Sequence, residues 1–136
     1  IVGIKDSRGK LDLMGELVEQ CKEGFQLLVG SGALLYPALE IGAVGGIVAV
    51  ANMAPAESGD LYQAFIAGRT SEAGRLQEQI GPVHNDIVAG MGVPGVKAAL
   101  NLMGLAGGDP RPPIRPLPEK RLDEVKGILE RGGLLD

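Results

Sequence analysis

A lysine closes the first apolar run of the chain, and its type and place suggest carbonyl chemistry. In Ile1-Val2-Gly3-Ile4-Lys5-Asp6-Ser7-Arg8-Gly9-Lys10, four residues of buried-strand composition run straight into Lys5. Asp6, Ser7, Arg8 and Gly9 then have the composition of a turn into a helix. An unpaired ammonium at the end of an apolar strand is costly to bury. Desolvation favours the neutral amine, and a neutral amine is a nucleophile toward carbonyl carbon. The competing reading is a lysine that marks where a strand returns to water. A second polar stretch, Gly30-Ser31-Gly32, ends the apolar run Phe25-Gln26-Leu27-Leu28-Val29 and opens a helical segment. Its N–H groups and the Ser31 hydroxyl suit a carboxylate or phosphate. Equally, it is a tight turn that uses glycine for its backbone freedom. With Lys5 nearby, an anion pocket beside an amine nucleophile is the sharper of the two readings.

Other candidates fail on spacing. The glycines of 42–46 lack the dinucleotide pattern, and 92–97 holds glycines and a lysine without a Walker A pattern. His84 is the single histidine and has no metal-ligand partner at helical spacing, so a surface or packed side chain is expected and no metal site. One histidine beyond the last strand supports no Ser/His/Asp set. Asp6 follows Lys5 in a strand, so its side chain points to the opposite face and a structural role is expected.

These residues need a scaffold of short βα units. Residues 11–23 read as an amphipathic helix with Leu11, Met14, Leu17, Val18 and Cys21 on one face. Residues 25–29 are a second strand, 33–41 a short helix and 46–50 a third strand. Strand and helix alternating at short intervals predict a parallel sheet. Ligands gather at the C-terminal ends of such strands, here Lys5, Gly30 and the region of Val50, Ala51 and Asn52. After that the pattern is helical. Pro55 stands at a helix start. Residues 72–88 form a helix capped by Thr70 or Ser71, with a kink or break at Pro82. Residues 92–95 turn into a helix over 96–103, an extended ordered arm rich in Gly and Pro covers 104–118, and a terminal helix covers 119–131.

Composition narrows the function classes. The 136 residues suffice for one domain with a real core. A net charge of −4 argues against non-specific nucleic-acid binding and disfavours an anionic membrane surface. Aromatics at 3% leave few platforms for stacking bases. The single cysteine, Cys21, makes no internal disulfide and fits a reducing, cytoplasmic setting as a small packed side chain. The longest apolar stretch, 41–56, is broken by three glycines, Asn52 and Pro55, too many for a membrane span, and no signal-peptide pattern is visible.

Taken together, Ile1-Val2-Gly3-Ile4-Lys5-Asp6-Ser7, Val29-Gly30-Ser31-Gly32, Gly42-Ala43-Val44-Gly45-Gly46-Ile47 with Ala51-Asn52, Gly92-Val93-Pro94-Gly95-Val96-Lys97 and Arg111-Pro112-Pro113 resemble the dihydrodipicolinate synthase / N-acetylneuraminate lyase family. The order and spacing match along essentially the whole chain. The resemblance implies an α/β fold, the C-terminal part of a (β/α)8 TIM barrel. Its last three βα units would fall in 1–68 and a helical extension in 69–136. It implies a class I aldolase or lyase with Lys5 as the Schiff-base residue toward pyruvate or a related 2-oxo acid, with no cofactor and no metal. Ser7, Gly30 and Ile47 match positions that line the substrate pocket in the family, with Ser31 as their neighbour. It also implies a homo-oligomer, tetramer or dimer, and neither a nucleic-acid nor a membrane partner. The Lys-Asp-Ser and Gly-Val-Pro-Gly-Val-Lys stretches look more like the 4-hydroxy-2-oxoglutarate aldolase branch. The alternatives are dihydrodipicolinate synthase itself and a non-catalytic half-barrel. The family's earlier half, with its Thr-Thr-Gly-Glu-type loop and proton-relaying tyrosines, is absent here, and neither Tyr36 nor Tyr62 stands in the matching context. Arg8 and Lys10 replace small or acidic residues, which leaves substrate choice open. A chain opening on Ile1 inside a strand is therefore expected to be a fragment, with raw sheet edges and little activity of its own.

Overall fold

The computed structural model describes residues 1–136. Three short parallel strands lie in sequence order: β1 (Gly3–Asp6), β2 (Gln26–Val29) and β3 (Gly45–Gly46). Helix α1 (Leu11–Gln20) connects the first pair, and a 3-10 turn (Gly32–Leu34) with α2 (Leu35–Glu40) connects the second. A 3-10 turn (Ala49–Asn52) then leads to α3 (Pro55–Ile66) and α4 (Thr70–Val83). A π-helical segment (His84–Ala89) follows, then α5 (Gly90–Leu102), a 3-10 turn (Glu119–Arg121) and α6 (Leu122–Arg131).

The parallel α/β arrangement agrees with the alternating sequence pattern, while several boundaries move. β1 starts at Gly3, not Ile1, and carries Lys5 and Asp6 inside the ladder, because its pairing runs from Gly3 opposite Gln26 to Asp6 opposite Val29. α1 ends at Gln20, where Cys21 turns to extended backbone toward β2. The expected strand over 46–50 is two residues long: Ile47 N–H still reaches the Val29 carbonyl at 2.9 Å, and the chain then lifts into the 3-10 turn. The apolar residues there are buried by that turn and not by a ladder; Val50 is fully enclosed. α4 begins at Thr70 with Arg69 as its cap residue, and neither Thr70 nor Ser71 caps it through a side chain. Pro82 lacks the N–H that would bond the preceding turn, and two residues later the helix widens into the π segment. α5 starts before the expected turn and is broken inside it by Gly92, whose φ of 63° suits a residue without a Cβ.

One hydrophobic cluster runs from the sheet into the helices. Leu27 and Val29 of β2 meet Met14, Leu35, Ala38 and Leu39, and the same cluster continues through Leu61, Leu76, Ile80, Val83 and Ile87 to Val125 and Leu129. Full burial of a side chain such as Leu61 or Ile80 is worth about 1.5–3 kcal/mol, so α3 and α4 are held by packing where their sequences offer no side-chain cap. The arm over 104–118 is pinned to α5: Lys97 Nζ donates to the Gly107 carbonyl at 2.6 Å, and Gly108 N–H donates to Asn101 Oδ1 at 3.0 Å.

The sheet is uncovered at its rims. Val2 is 81% exposed, Ile47 55%, and Ile4 and Val44 45% each, where the composition of 1–4 had suggested burial. Within these residues β1 and β3 each pair on one side only. Expressed as these 136 residues, the chain should therefore self-associate through those strands. Light scattering across a dilution series should show oligomers; a stable monomer with dispersed amide resonances would contradict this.

Candidate functional site

The register of the sheet builds the site. Side chains alternate along each strand, and Lys5 pairs with Leu28, which pairs with Gly45. These three residues share one face. The next row on that face is Ser7, Gly30 and Ile47, one residue beyond the ladder. The Gly30 N–H to Asp6 carbonyl bond, 2.7 Å, and the Ile47 N–H to Val29 carbonyl bond, 2.9 Å, carry the row. Asp6, Val29 and Gly46 occupy the other face.

Gly30 is where the chemistry-bearing side chains meet. A Cβ placed on it would collide with Ser7 Oγ and come within 2.9 Å of both Ser7 Cβ and Lys5 Cε. The missing side chain is the space that Lys5 and Ser7 occupy. Lys5, Ser7 and Gly30 are thus brought together. Ile47 holds the end of their row and also lines a cavity of about 490 Å³ with Asn52, Ser58 and Tyr62. The desolvation expected of Lys5 is not delivered by this chain's own atoms, since the residue is exposed and nothing here covers its face.

Asp6 has the structural role expected of it. Its carboxylate, 3% exposed, accepts from Arg8 N–H at 2.8 Å, Arg8 Nε at 2.9 Å and Arg8 Nη2 at 2.5 Å. Arg8 hydrogen bonds hold the Asp6 carboxyl below the usual carboxylate range against the opposing effect of burial. The two residues thus lock the turn that follows Lys5.

Ser31 and Gly32 differ from the anion-cradle expectation. Gly32 N–H is taken by His84 Nδ1 at 3.2 Å, and the Gly32 carbonyl by Gln77 Nε2 at 3.0 Å. Ser31 Oγ lies 3.2 Å from His84 Nε2. The Gly32 peptide groups are therefore spent on α4 and the π segment. His84, set aside in the sequence as a surface or packed histidine, is 8% exposed and bonded on both ring nitrogens, and burial pushes its pKa down. No local spacing could reveal this, because its partners lie 52 and 53 residues away. Nowhere do three His, Cys, Asp or Glu side chains gather in a way that would hold a metal ion. No helix is long and apolar enough to cross a membrane.

Comparison with known proteins follows the same outline. The model of the "Dihydrodipicolinate synthetase family" matches residues 1–131. A 4-hydroxy-tetrahydrodipicolinate synthase of Methanopyrus kandleri is 34% identical over 99% of this chain and 45% of its own length. The structure of the 4-hydroxy-tetrahydrodipicolinate synthase of Methylacidiphilum fumariolicum SolV superposes with a TM-score of 0.87 at 34% identity, covering 98% of this chain and 44% of that one. A prophage protein of E. coli K12, belonging to the dihydrodipicolinic acid synthase family and solved in complex with pyruvate, gives a TM-score of 0.86 at 26% identity over 98% of this chain and 47% of its own. The chain spans just under half the length of these relatives, and its three parallel strands with their helices match half of such a barrel.

Because its folded pKa is lowered, Asp6 adds stability above the unfolded value near 3.9, and that contribution is lost as pH falls through the folded value. Arg8→Ala removes the guanidinium and leaves the buried carboxylate only the backbone N–H of residue 8. In the full-length protein the urea midpoint should drop most at pH 7, with the gap to the unsubstituted protein narrowing below about pH 4. A gap that stays constant or widens on acidification would show that the lost stability does not depend on the ionised Asp6 carboxylate.

Proposed function

This chain belongs to the dihydrodipicolinate synthetase family, and we propose that it supplies the Schiff-base lysine of a 4-hydroxy-tetrahydrodipicolinate synthase that joins pyruvate to an aspartate semialdehyde. The observation that carries the proposal is the approach of both Lys5 Cε and Ser7 Oγ to the vacant Cβ position of Gly30 at the C-terminal ends of parallel strands. An amine at that end meets ligand where barrel enzymes bind it. The pyruvate complex of the E. coli relative supports the choice of 2-oxo acid. The names of the relatives favour the synthase over the 4-hydroxy-2-oxoglutarate aldolase reading drawn from the Lys-Asp-Ser and Gly-Val-Pro-Gly-Val-Lys stretches. Those stretches are short, while the identity extends over the whole chain.

The chemistry follows from the parts. The neutral Lys5 amine attacks the ketone carbon of pyruvate, the C–N bond forms, and the former carbonyl oxygen leaves as water. The protonated imine withdraws electrons from the adjacent methyl carbon. Loss of a proton there gives an enamine, which attacks the aldehyde carbon of the second substrate. Ser7 supplies a hydroxyl beside the amine, Gly30 leaves room for both, and Ile47 forms an apolar wall at the end of the row. Ser31, bonded to His84, serves the site from behind the turn.

Within this reading, residues 1–68 contribute the last βα units of the barrel and 69–136 the helical extension, and the complete enzyme is a homo-oligomer. The remaining βα units supply the cover that desolvates Lys5.

In the full-length protein, borohydride should trap pyruvate on Lys5, and mass spectrometry of the digest should locate the adduct there. Lys5→Arg should abolish it, because guanidinium stays protonated and forms no imine. Label on Lys97 or no label at all would sink the assignment, and the second result would favour the non-catalytic half-barrel.

Gly30→Ala should slow trapping about fivefold or more, on the order of the 1–3 kcal/mol that overpacking costs, by displacing Ser7 and Lys5 from the space above Gly30. Trapping at the unsubstituted rate would show that the close approach has no catalytic consequence.

A further inference from the structure

We infer that His84, reaching back from the helical extension, is a positioning residue for the Lys5 site, holding the Gly30-Ser31-Gly32 turn through the Gly32 peptide. The inference rests on the Schiff-base reading above and goes beyond it, because His84 touches none of the residues expected to meet substrate except Ser31.

The geometry is specific. Gly32 is buried, and both of its peptide groups are bonded to side chains from a single helical run: N–H to His84 Nδ1 at 3.2 Å and C=O to Gln77 Nε2 at 3.0 Å. Gln77 then uses its other end, Oε1, to accept from Tyr36 N–H at 2.8 Å. The turn beside Lys5 is thus gripped before, within and after its 3-10 segment by two residues seven positions apart. A ring nitrogen that accepts a backbone N–H carries no proton, so His84 is the neutral tautomer with its hydrogen on Nε2. That hydrogen points at Ser31 Oγ. The low exposure of the ring keeps it neutral. His84 also opens the π-helical segment, a helical irregularity that occurs often at functional sites.

The consequence reaches Lys5 through two residues of backbone. Gly30 has no slack: the van der Waals space above its Cα is filled by Ser7 and Lys5 Cε. A turn held only by its glycines would sample conformations that move Gly30 out of register with Ser7. Held by His84 and Gln77, it keeps the amine and the hydroxyl aligned. A shift of about 1 Å in such an alignment is enough to cost two orders of magnitude in rate.

The test uses the full-length protein and pyruvate. His84→Leu removes the acceptor, and His84→Asn keeps one, since its Oδ1 stands near the place of Nδ1. At saturating pyruvate, the rate of borohydride-trappable imine formation on Lys5 should fall about tenfold in His84→Leu and recover most of that loss in His84→Asn. An unchanged rate in His84→Leu, or equal losses in both variants, would overturn the inference while leaving the Lys5 assignment intact. A second measurement does not depend on the variants folding. In the unsubstituted protein, nitrogen-15 shifts should show His84 as the Nε2–H tautomer, and the Gly32 amide should be protected from exchange. An Nδ1–H tautomer or a freely exchanging Gly32 amide would overturn it. Failure of the unsubstituted protein to form any Lys5 adduct would overturn both this inference and the functional reading beneath it.

Discussion

The parallel ladder of β1 and β2 is the constraint on which the rest depends. Four paired positions, from Gly3 opposite Gln26 to Asp6 opposite Val29, decide which side chains share a face. A slip of one residue would exchange Lys5 and Ser7 for Ile4 and Asp6 and send the amine into the helix layer. Two features hold the register. On the helix side Leu27 and Val29 are buried among Met14, Leu35 and Leu39, which fixes the phase of β2. At the end of β1 the Asp6–Arg8 lock and the Gly30 N–H bond to the Asp6 carbonyl fix where the strand stops. The position of the amine is therefore a packing result that polar contacts complete.

Much of this was legible in the sequence. The βα alternation and the opposite-face role of Asp6 follow from local periodicity, and the structure has both; Lys5 lies one residue inside the end of β1. The misread elements have two causes. Residues 46–50 have strand composition, yet the chain leaves the ladder after Gly46 and a 3-10 turn buries Val50 fully, so tertiary packing overrode local preference. Val2 and Ile4 have buried-strand composition, yet they sit at the rim of the sheet and no part of residues 1–136 covers them.

The site was less legible. Ser7 and Gly30 could be paired only by knowing the register, and Gly30 reads as a turn glycine until its neighbours are seen to occupy its Cβ position. His84 and Gln77 gave no signal, because a histidine within a helical stretch is indistinguishable from a packed one. Only the fold brings them to Gly32. Of the donors expected for an anion at Gly30-Ser31-Gly32, the Gly30 and Gly32 N–H groups are engaged within the fold, which local sequence could not show.

The long-range grip on Gly32 also orders events in time. Its bonds join residues 45 and 52 positions apart, whereas the β1–β2 pairing joins positions only 23 apart. Closing the larger loops costs more chain entropy and returns nothing until α4 has docked. During synthesis, then, the sheet and its lysine take shape first, and the turn beside them stays loose until the chain has emerged past His84. The contacts made from the helical extension to the turn beside Lys5 are therefore the last to close.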